Sequence, residues 1–282
     1  MKYSKYLPPE YQGELITLIA GKGRYPELLK EEIDSKGIPN NLISIAKETD
    51  EALVNKFSKQ DHVKIQLGKL SDLLKSLKKL KSKYVILAGQ VRPTRLFSGL
   101  LPDLKMLSLL ARLKALNAET IFGSIIDEIN SIGCDVIDAR SFIDDHLATE
   151  GVLTLKGKAP PQEAIDYGIN ITKNIAGLNI GQGIVIKGKT VIAVEAFEGT
   201  NNMLKRVSEF KLKDCIFIKT IKENQDYRFD IPVLGMKTIE NLHASNIKTV
   251  ILESGSSILL DKAKVLKKAE ELNIQIIGTK LQ

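Results

Sequence analysis

Leu15-Ile16-Thr17-Leu18-Ile19-Ala20-Gly21-Lys22-Gly23-Arg24-Tyr25-Pro26 is the stretch that decides the fold class. An apolar run of strand length, 15–20, ends in a glycine-rich turn, and residues 27–35 then take up helical spacing. A nearly continuous apolar strand that leads straight into a helix is how a parallel strand covered on both faces reads. Gly37 closes the helix, and strands follow at 41–46, 63–67 and 84–88, with a helix carrying Leu70, Leu73, Leu74, Leu77 and Leu80 before the last of them. The alternation predicts a Rossmann-like domain, a mostly parallel sheet with helices on its faces.

Beyond 84–88 come Gly89-Gln90-Val91-Arg92-Pro93, an irregular stretch to Pro102, and helices at 103–116 and 119–132 closed by Gly133. After Cys134-Asp135-Val136 the character changes. The polar, Gly/Pro-bearing passage 144–161 reads as the inter-domain region leading into a second, different α/β domain. The division expected is 1–136 and 137–282. In the second part a helix at 162–177 precedes a hairpin, 183–187 and 190–195, joined by Gly188-Lys189. Strands at 215–219, 249–253 and 274–278 then alternate with helices at 203–210, 236–245 and 261–273.

Bulk properties agree. A chain of 282 residues has room for two cores, and 43% hydrophobic with 27% charged residues is a globular composition. No apolar run reaches the roughly 20 residues that span a bilayer, and residues 1–12 are polar and Tyr/Pro-rich, unlike a basic then apolar leader, so a cytoplasmic protein is expected. Cys134 and Cys215 have no partner at metal-ligand spacing and read as buried small hydrophobes. The net charge of +7 is concentrated in Lys69, Lys75, Lys78, Lys79, Lys81 and Lys83 around the Leu-patterned helix. That is either a solvated face or a contact with anionic lipid headgroups. With aromatics at 5% and no Trp, the stacking residues of a nucleic-acid binder are missing.

Four segments carry candidate chemistry. Glycines 21 and 23 let backbone N–H groups approach a phosphate at a helix N-terminus. Pro26 replaces the third glycine of a dinucleotide fingerprint, and no Gly-Lys-Ser/Thr follows as in a P-loop, so a plain strand-to-helix turn stands beside the ligand-loop reading. For a dinucleotide oxidoreductase the acid expected after the second strand is also missing; Glu48 is nearest, behind Lys47. Gly89 with Arg92 and Arg95 forms a second such turn at another strand end, the edge where open α/β sheets bind ligands. Glu195 and Glu198, before Gly199-Thr200-Asn201, either hold a divalent metal or are solvated while Thr200 or Asn201 caps the next helix. In Gln225-Asp226-Tyr227-Arg228-Phe229-Asp230-Ile231-Pro232, an extended backbone would put Asp226, Arg228 and Asp230 on one side. Two carboxylates around a cation suit Mg²⁺ and phosphate, or make a structural ion-pair cluster. His62, His146 and His243 are scattered, and no Gly-x-Ser-x-Gly elbow is present.

Taken together, Ile19 to Pro26, Gly89 to Pro93, Gly181-Gln182, Glu195-Ala196-Phe197-Glu198-Gly199-Thr200 and Gln225 to Pro232 resemble the LpxI-type UDP-2,3-diacylglucosamine pyrophosphatases of lipid A biosynthesis. The resemblance implies a Mg²⁺-dependent hydrolase that splits the pyrophosphate of UDP-2,3-diacylglucosamine into UMP and 2,3-diacylglucosamine 1-phosphate. It further implies a cytoplasmic homodimer, peripheral to the inner membrane, with a lipid nucleotide as its partner and no nucleic acid. Carried onto this chain, catalysis falls on Asp230, Asp226 and Arg228, and metal binding on Asp226, Asp230, Glu195 and Glu198. Substrate contacts fall on Gly21, Gly23, Arg24, Gly89, Arg92, Gln182, Thr200, Lys219 and Gln225. The chain departs from the family pattern at Asn179 and Asn201, where the pattern has Asp. Asn supplies a carbonyl oxygen but neither charge nor a base, which leaves a non-catalytic lipid or nucleotide-sugar-binding homologue as the competing expectation.

Overall fold

The computed structural model describes residues 3–91, 102–154, 157 and 160–280. Arg92, Pro93 and Arg95 lie outside the described residues. Two compact units emerge: Met1–Asp144 with Tyr227–Phe229, and Asp145–Asp226 with Asp230–Gln282.

In the first unit β1 (Ile16–Ala20), α1 (Arg24–Ser35), β2 (Asn40–Ile45), α2 (Glu51–Val54), β3 (His62–Ile65), α3 (Leu70–Lys79), β4 (Tyr84–Ala88), α4 (Leu104–Arg112), α5 (Ala118–Asn130) and β5 (Asp135–Val136) follow one another. The described strands form one sheet in the order β3-β2-β1-β4-β5, every pair parallel. All five residues of β1 are buried, as its continuous apolar run requires of a central strand. Ile19, Ile43, Ile45 and Val85 share one core cluster with Leu73 and Leu77 of α3, Met106 of α4 and Ile126 and Ile129 of α5. On α3 the leucines are buried and Lys75, Lys78 and Lys79 exposed, the division its spacing predicts. One side chain fixes two helix starts: Asp103 Oδ1 accepts from Met106 N at 2.8 Å and Oδ2 from Ser71 N at 2.7 Å. The polar N-terminal stretch is not idle, since Tyr11 is buried edge-on against Tyr84 and Phe142.

The second unit runs β6 (Gly151–Val152), α6 (Gln162–Gly177), β7 (Gly183–Lys187), β8 (Thr190–Val194), α7 (Thr200–Glu209), β9 (Ile216–Lys219), β10 (Val233–Leu234), α8 (Met236–Ala244), β11 (Thr249–Glu253), β12 (Ile258–Leu259), α9 (Lys262–Glu271) and β13 (Gln275–Thr279). Its main sheet has the order β6-β13-β11-β9-β7-β8. Strands β9, β11 and β13 are parallel, while β7 and β8 form the expected hairpin with β7 antiparallel to β9. The passage read as inter-domain contributes β6, which pairs antiparallel with β13. Alternation sorts the core into two layers: Ile184, Ile186, Ile216 and Ile218 meet α6, and Val185, Phe217, Val250 and Leu252 meet α7, α8 and α9. Helix α6 lies close to the sheet because Gly168 has no side chain; a Cβ there would stand 2.1 Å from Ile218 Cδ1.

The consequence for function is where the loops land. In the first sheet β2 lies on one side of β1 and β4 on the other, so the turns leaving β1 and β4 stand side by side at the C-terminal edge, the edge at which open α/β sheets bind ligands. In the second sheet the pairing brings the start of β7, the end of β8 and the ends of β9 and β11 to one edge.

Candidate active site

In the first unit the two glycine turns are zipped together. Lys22 and Gln90 exchange both backbone hydrogen bonds at 2.9 Å, and Gly21 N donates to Ala88 O at 2.7 Å. A Cβ on Gly21 would lie 2.5 Å from Gln90 O, so the glycine serves this close approach. The N-terminus of α1 already meets an anion, because Gly23 N donates to Asp50 Oδ2 at 3.0 Å. Arg24 is paired with Glu27 at 3.1 Å and Glu31 at 2.7 Å on its own helix. Beside these turns opens an apolar cavity of about 100 Å³. Ile19, Leu73, Met106, Phe122 and Phe229 are among its walls, and Gly89 reaches its rim. Phe229 is stacked on Phe122, with centroids 5.5 Å apart and planes at 19°.

The polar constellation belongs to the second unit. Where β9 ends, Gln182 Nε2 donates to Asp230 Oδ2 at 2.8 Å and to Gln225 Oε1 at 3.2 Å. Gln225 Nε2 donates to the same Oδ2 at 2.6 Å and to Asp230 O at 2.7 Å. Two amides thus hold one carboxylate oxygen, and Oδ1 takes no part in the set. One residue along each strand sits a buried ion pair, Lys219 Nζ to Glu195 Oε2 at 2.9 Å, with the side chains 8% and 13% exposed. Thr200 Oγ1 completes it, accepting from Lys219 at 2.8 Å and donating to Glu195 Oε1 at 2.6 Å. Gly183 makes the room: a Cβ there would lie 2.5 Å from Glu195 Oε2. The backbone ties the groups into one edge, since Thr220 N donates to Gln182 O and Glu195 N to Gly183 O.

Several expectations change on this geometry. Residues 227–229 form a turn, and Asp230 N donates to Asp226 O at 3.1 Å, so the segment is not extended and the alternating face does not form. Asp226 and Asp230 are instead one turn apart in the second unit, while Arg228 belongs with the first. Neither Thr200 nor Asn201 caps α7; Gly199 occupies the N-cap with no side-chain bond. Asn201 Oδ1 accepts from Asn241 at 3.0 Å and Thr238 at 3.3 Å on α8. Asn179 ends α6 in the left-handed conformation, φ 56°, which Asn tolerates well, and its Oδ1 accepts from Lys222 Nζ at 3.2 Å. Glu198 pairs with Arg206 at 2.5 Å.

Among the described residues no group of three or more His, Cys, Asp or Glu is placed to hold a metal ion. Glu195 has both oxygens engaged by Lys219 and Thr200. Mg²⁺ commonly takes one or two carboxylates and fills its other positions with water and phosphate oxygens, which leaves Asp226 and Asp230 as the acids to be considered for it. Sequence reasoning missed Glu253. It ends β11 at the same edge, is 8% exposed, and accepts from Ile221 N at 3.0 Å through Oε2, anchoring the start of the loop that carries Gln225, Asp226 and Asp230. Burial pushes its carboxyl above the ordinary value, against the Ile221 bond and the Lys173 charge. An acid at the end of a strand was the available signal, the same one that singled out Glu195.

Comparison with known proteins adds the family. Residues 15–146 match the family described as LpxI N-terminal domain, and residues 149–277 the one described as LpxI C-terminal domain. The chain is also similar to the UDP-2,3-diacylglucosamine pyrophosphatase LpxI of Caulobacter vibrioides, 27% identical over 276 residues, which span 93% of this chain and 96% of that protein.

Proposed function

This chain belongs to the LpxI family, and from that premise we propose that it hydrolyses the pyrophosphate of UDP-2,3-diacylglucosamine to UMP and 2,3-diacylglucosamine 1-phosphate. The observation that carries the proposal is the Asp230 carboxylate, fixed through Oδ2 by Gln182 and Gln225 at the sheet edge where β8, β9 and β11 end. An amide-held carboxylate cannot swing, which suits a group that orients water or a metal for in-line attack on phosphorus. Asp226, one turn away, is the second acid of the set. Mg²⁺ held by these two carboxylates would neutralise charge on the phosphates and make a bound water more acidic. Arg228 belongs to the first unit and is not assigned a role at this edge.

The remaining groups position the substrate. Lys219, held by Glu195 and Thr200, keeps a fixed cation at the same edge, and Glu253 secures the loop at Ile221. In the first unit the apolar cavity is the place for an acyl chain, since its walls offer aliphatic and aromatic contact. The backbone at Gly21 and Gly89 shapes its neighbourhood; Arg24 is committed to Glu27 and Glu31 and is not assigned to substrate. The binding-only alternative drew on Asn179 and Asn201; both serve here through Oδ1 as an acceptor, a role that the Asp of the family pattern would also fill. A cytoplasmic homodimer working at the inner face of the inner membrane completes the reading; no helix among the described residues is long and apolar enough to cross a membrane.

The test is product analysis of UDP-2,3-diacylglucosamine incubated with the purified chain and Mg²⁺, with and without chelator. UMP and the sugar 1-phosphate should appear only with metal. Tight substrate binding without release under Mg²⁺ or Mn²⁺ would return the chain to the binding-only class.

A further inference from the structure

Helix α4 has two different faces. Met106 and Leu109 are buried, and Met106 lines the apolar cavity. At 100° per residue the exposed arc then runs through Leu107, Ala111 and Leu104 to Ser108, Arg112 and Lys105. Its apolar half is unusual for a solvated helix, with Leu104 85% and Leu107 48% exposed, and Leu116 just beyond the helix is 56% exposed. The other half is basic: Lys105, Arg112 and the following Lys114 are exposed, and Lys105 also reaches Glu128 at 2.7 Å. From residue 104 to 116 there is no acidic residue. An apolar strip flanked by cations is the arrangement of a helix that lies in the plane of a membrane interface.

We propose that the outer face of α4, Leu104, Leu107 and Leu116 with Arg112 and Lys114, docks the protein on an anionic phospholipid bilayer. The charge argues for lipid over a second copy. A two-fold contact through this face would bring together two copies of the basic strip carrying Arg112 and Lys114, with no acid from 104 to 116 to meet them, Lys105 being already paired with Glu128. Anionic headgroups supply the missing charge. The inference rests partly on the lipid-nucleotide reading, for a substrate with acyl chains resides in a bilayer, and α4 would stand between that bilayer and the cavity its inner face lines.

The experiment is co-sedimentation of the full chain with vesicles of phosphatidylglycerol and phosphatidylcholine, against vesicles of phosphatidylcholine alone. Leu104→Ser with Leu107→Ser should lower the partition constant for the anionic vesicles by at least about tenfold. Arg112→Glu with Lys114→Glu should abolish the preference for anionic over neutral vesicles, and added salt should weaken wild-type binding. Because these side chains are exposed, the thermal midpoint of each variant should match wild type, which separates lost docking from lost folding. Wild-type binding that the variants leave unchanged, no binding at all, or a leucine variant that dissociates an oligomer would each overturn the proposal. Hydrolysis in detergent micelles is followed in parallel: activity without vesicle binding removes this surface alone, and vesicle binding without activity removes the hydrolase reading alone.

Discussion

Replacing Lys219 by Met puts the second unit's edge to its hardest test. The ammonium lies 2.9 Å from Glu195 Oε2 and 2.8 Å from Thr200 Oγ1, in a setting where both charged side chains are nearly excluded from water. Removing one partner of a buried pair leaves a desolvated carboxylate with a single hydroxyl donor, at a cost of about 3–5 kcal/mol. With an m-value of about 2 kcal/mol per molar urea, that becomes a fall of about 2 M in the unfolding midpoint. Lys219→Met with Glu195→Leu removes both charges and should recover most of the loss, ending within about 2 kcal/mol of wild type. Urea denaturation followed by circular dichroism reads both numbers. A single variant within about 1 kcal/mol of wild type, or a double variant as unstable as the single, would refute the buried pair. If the double variant is stable yet inactive, Lys219 is needed for turnover as well as for folding.

Two other perturbations follow from the same unit. Glu253 has its carboxyl raised by burial, so its contribution to stability is full below the unfolded value of 4.5 and is lost as pH rises through the folded value. Glu253→Gln keeps an acceptor for Ile221 N without the charge; it should be more stable than wild type at pH 7, with the gain vanishing towards pH 4, as urea midpoints across that range would show. Gly168→Ala drives a methyl against Ile218 and Ile186 and should cost about 1–3 kcal/mol; an unchanged midpoint would mean that α6 moves off the sheet freely.

The long elements were legible because their residues carry a period. The strands at 16–20, 84–88 and 183–187 and the leucine-faced α3 need only local pattern, and both sheets place them as alternation requires. Strands of two residues, such as β5, β6, β10 and β12, carry no period, and their pairing comes from tertiary contact alone. The site divides in the same way. Glu195, Asp226 and Asp230 stood out as acids at strand ends or in a dense polar loop. That Gln182 would reach Asp230 across 48 residues, or that Gly183 exists to admit Glu195, is a property of strand register and was not readable. The 225–232 segment misled because alternation of charge mimics an extended strand, whereas a hydrogen bond from Asp230 N to Asp226 O closes it into a turn.

The measurement that bears most directly on the account is the rate of UMP release from UDP-2,3-diacylglucosamine, with Mg²⁺, by wild type and by Asp230→Ala. The amide-held carboxylate is assigned a direct role, so the variant should lose at least about a hundredfold in rate while remaining folded. Wild-type turnover that survives in Asp230→Ala would contradict the placement of the chemistry at the second unit's edge.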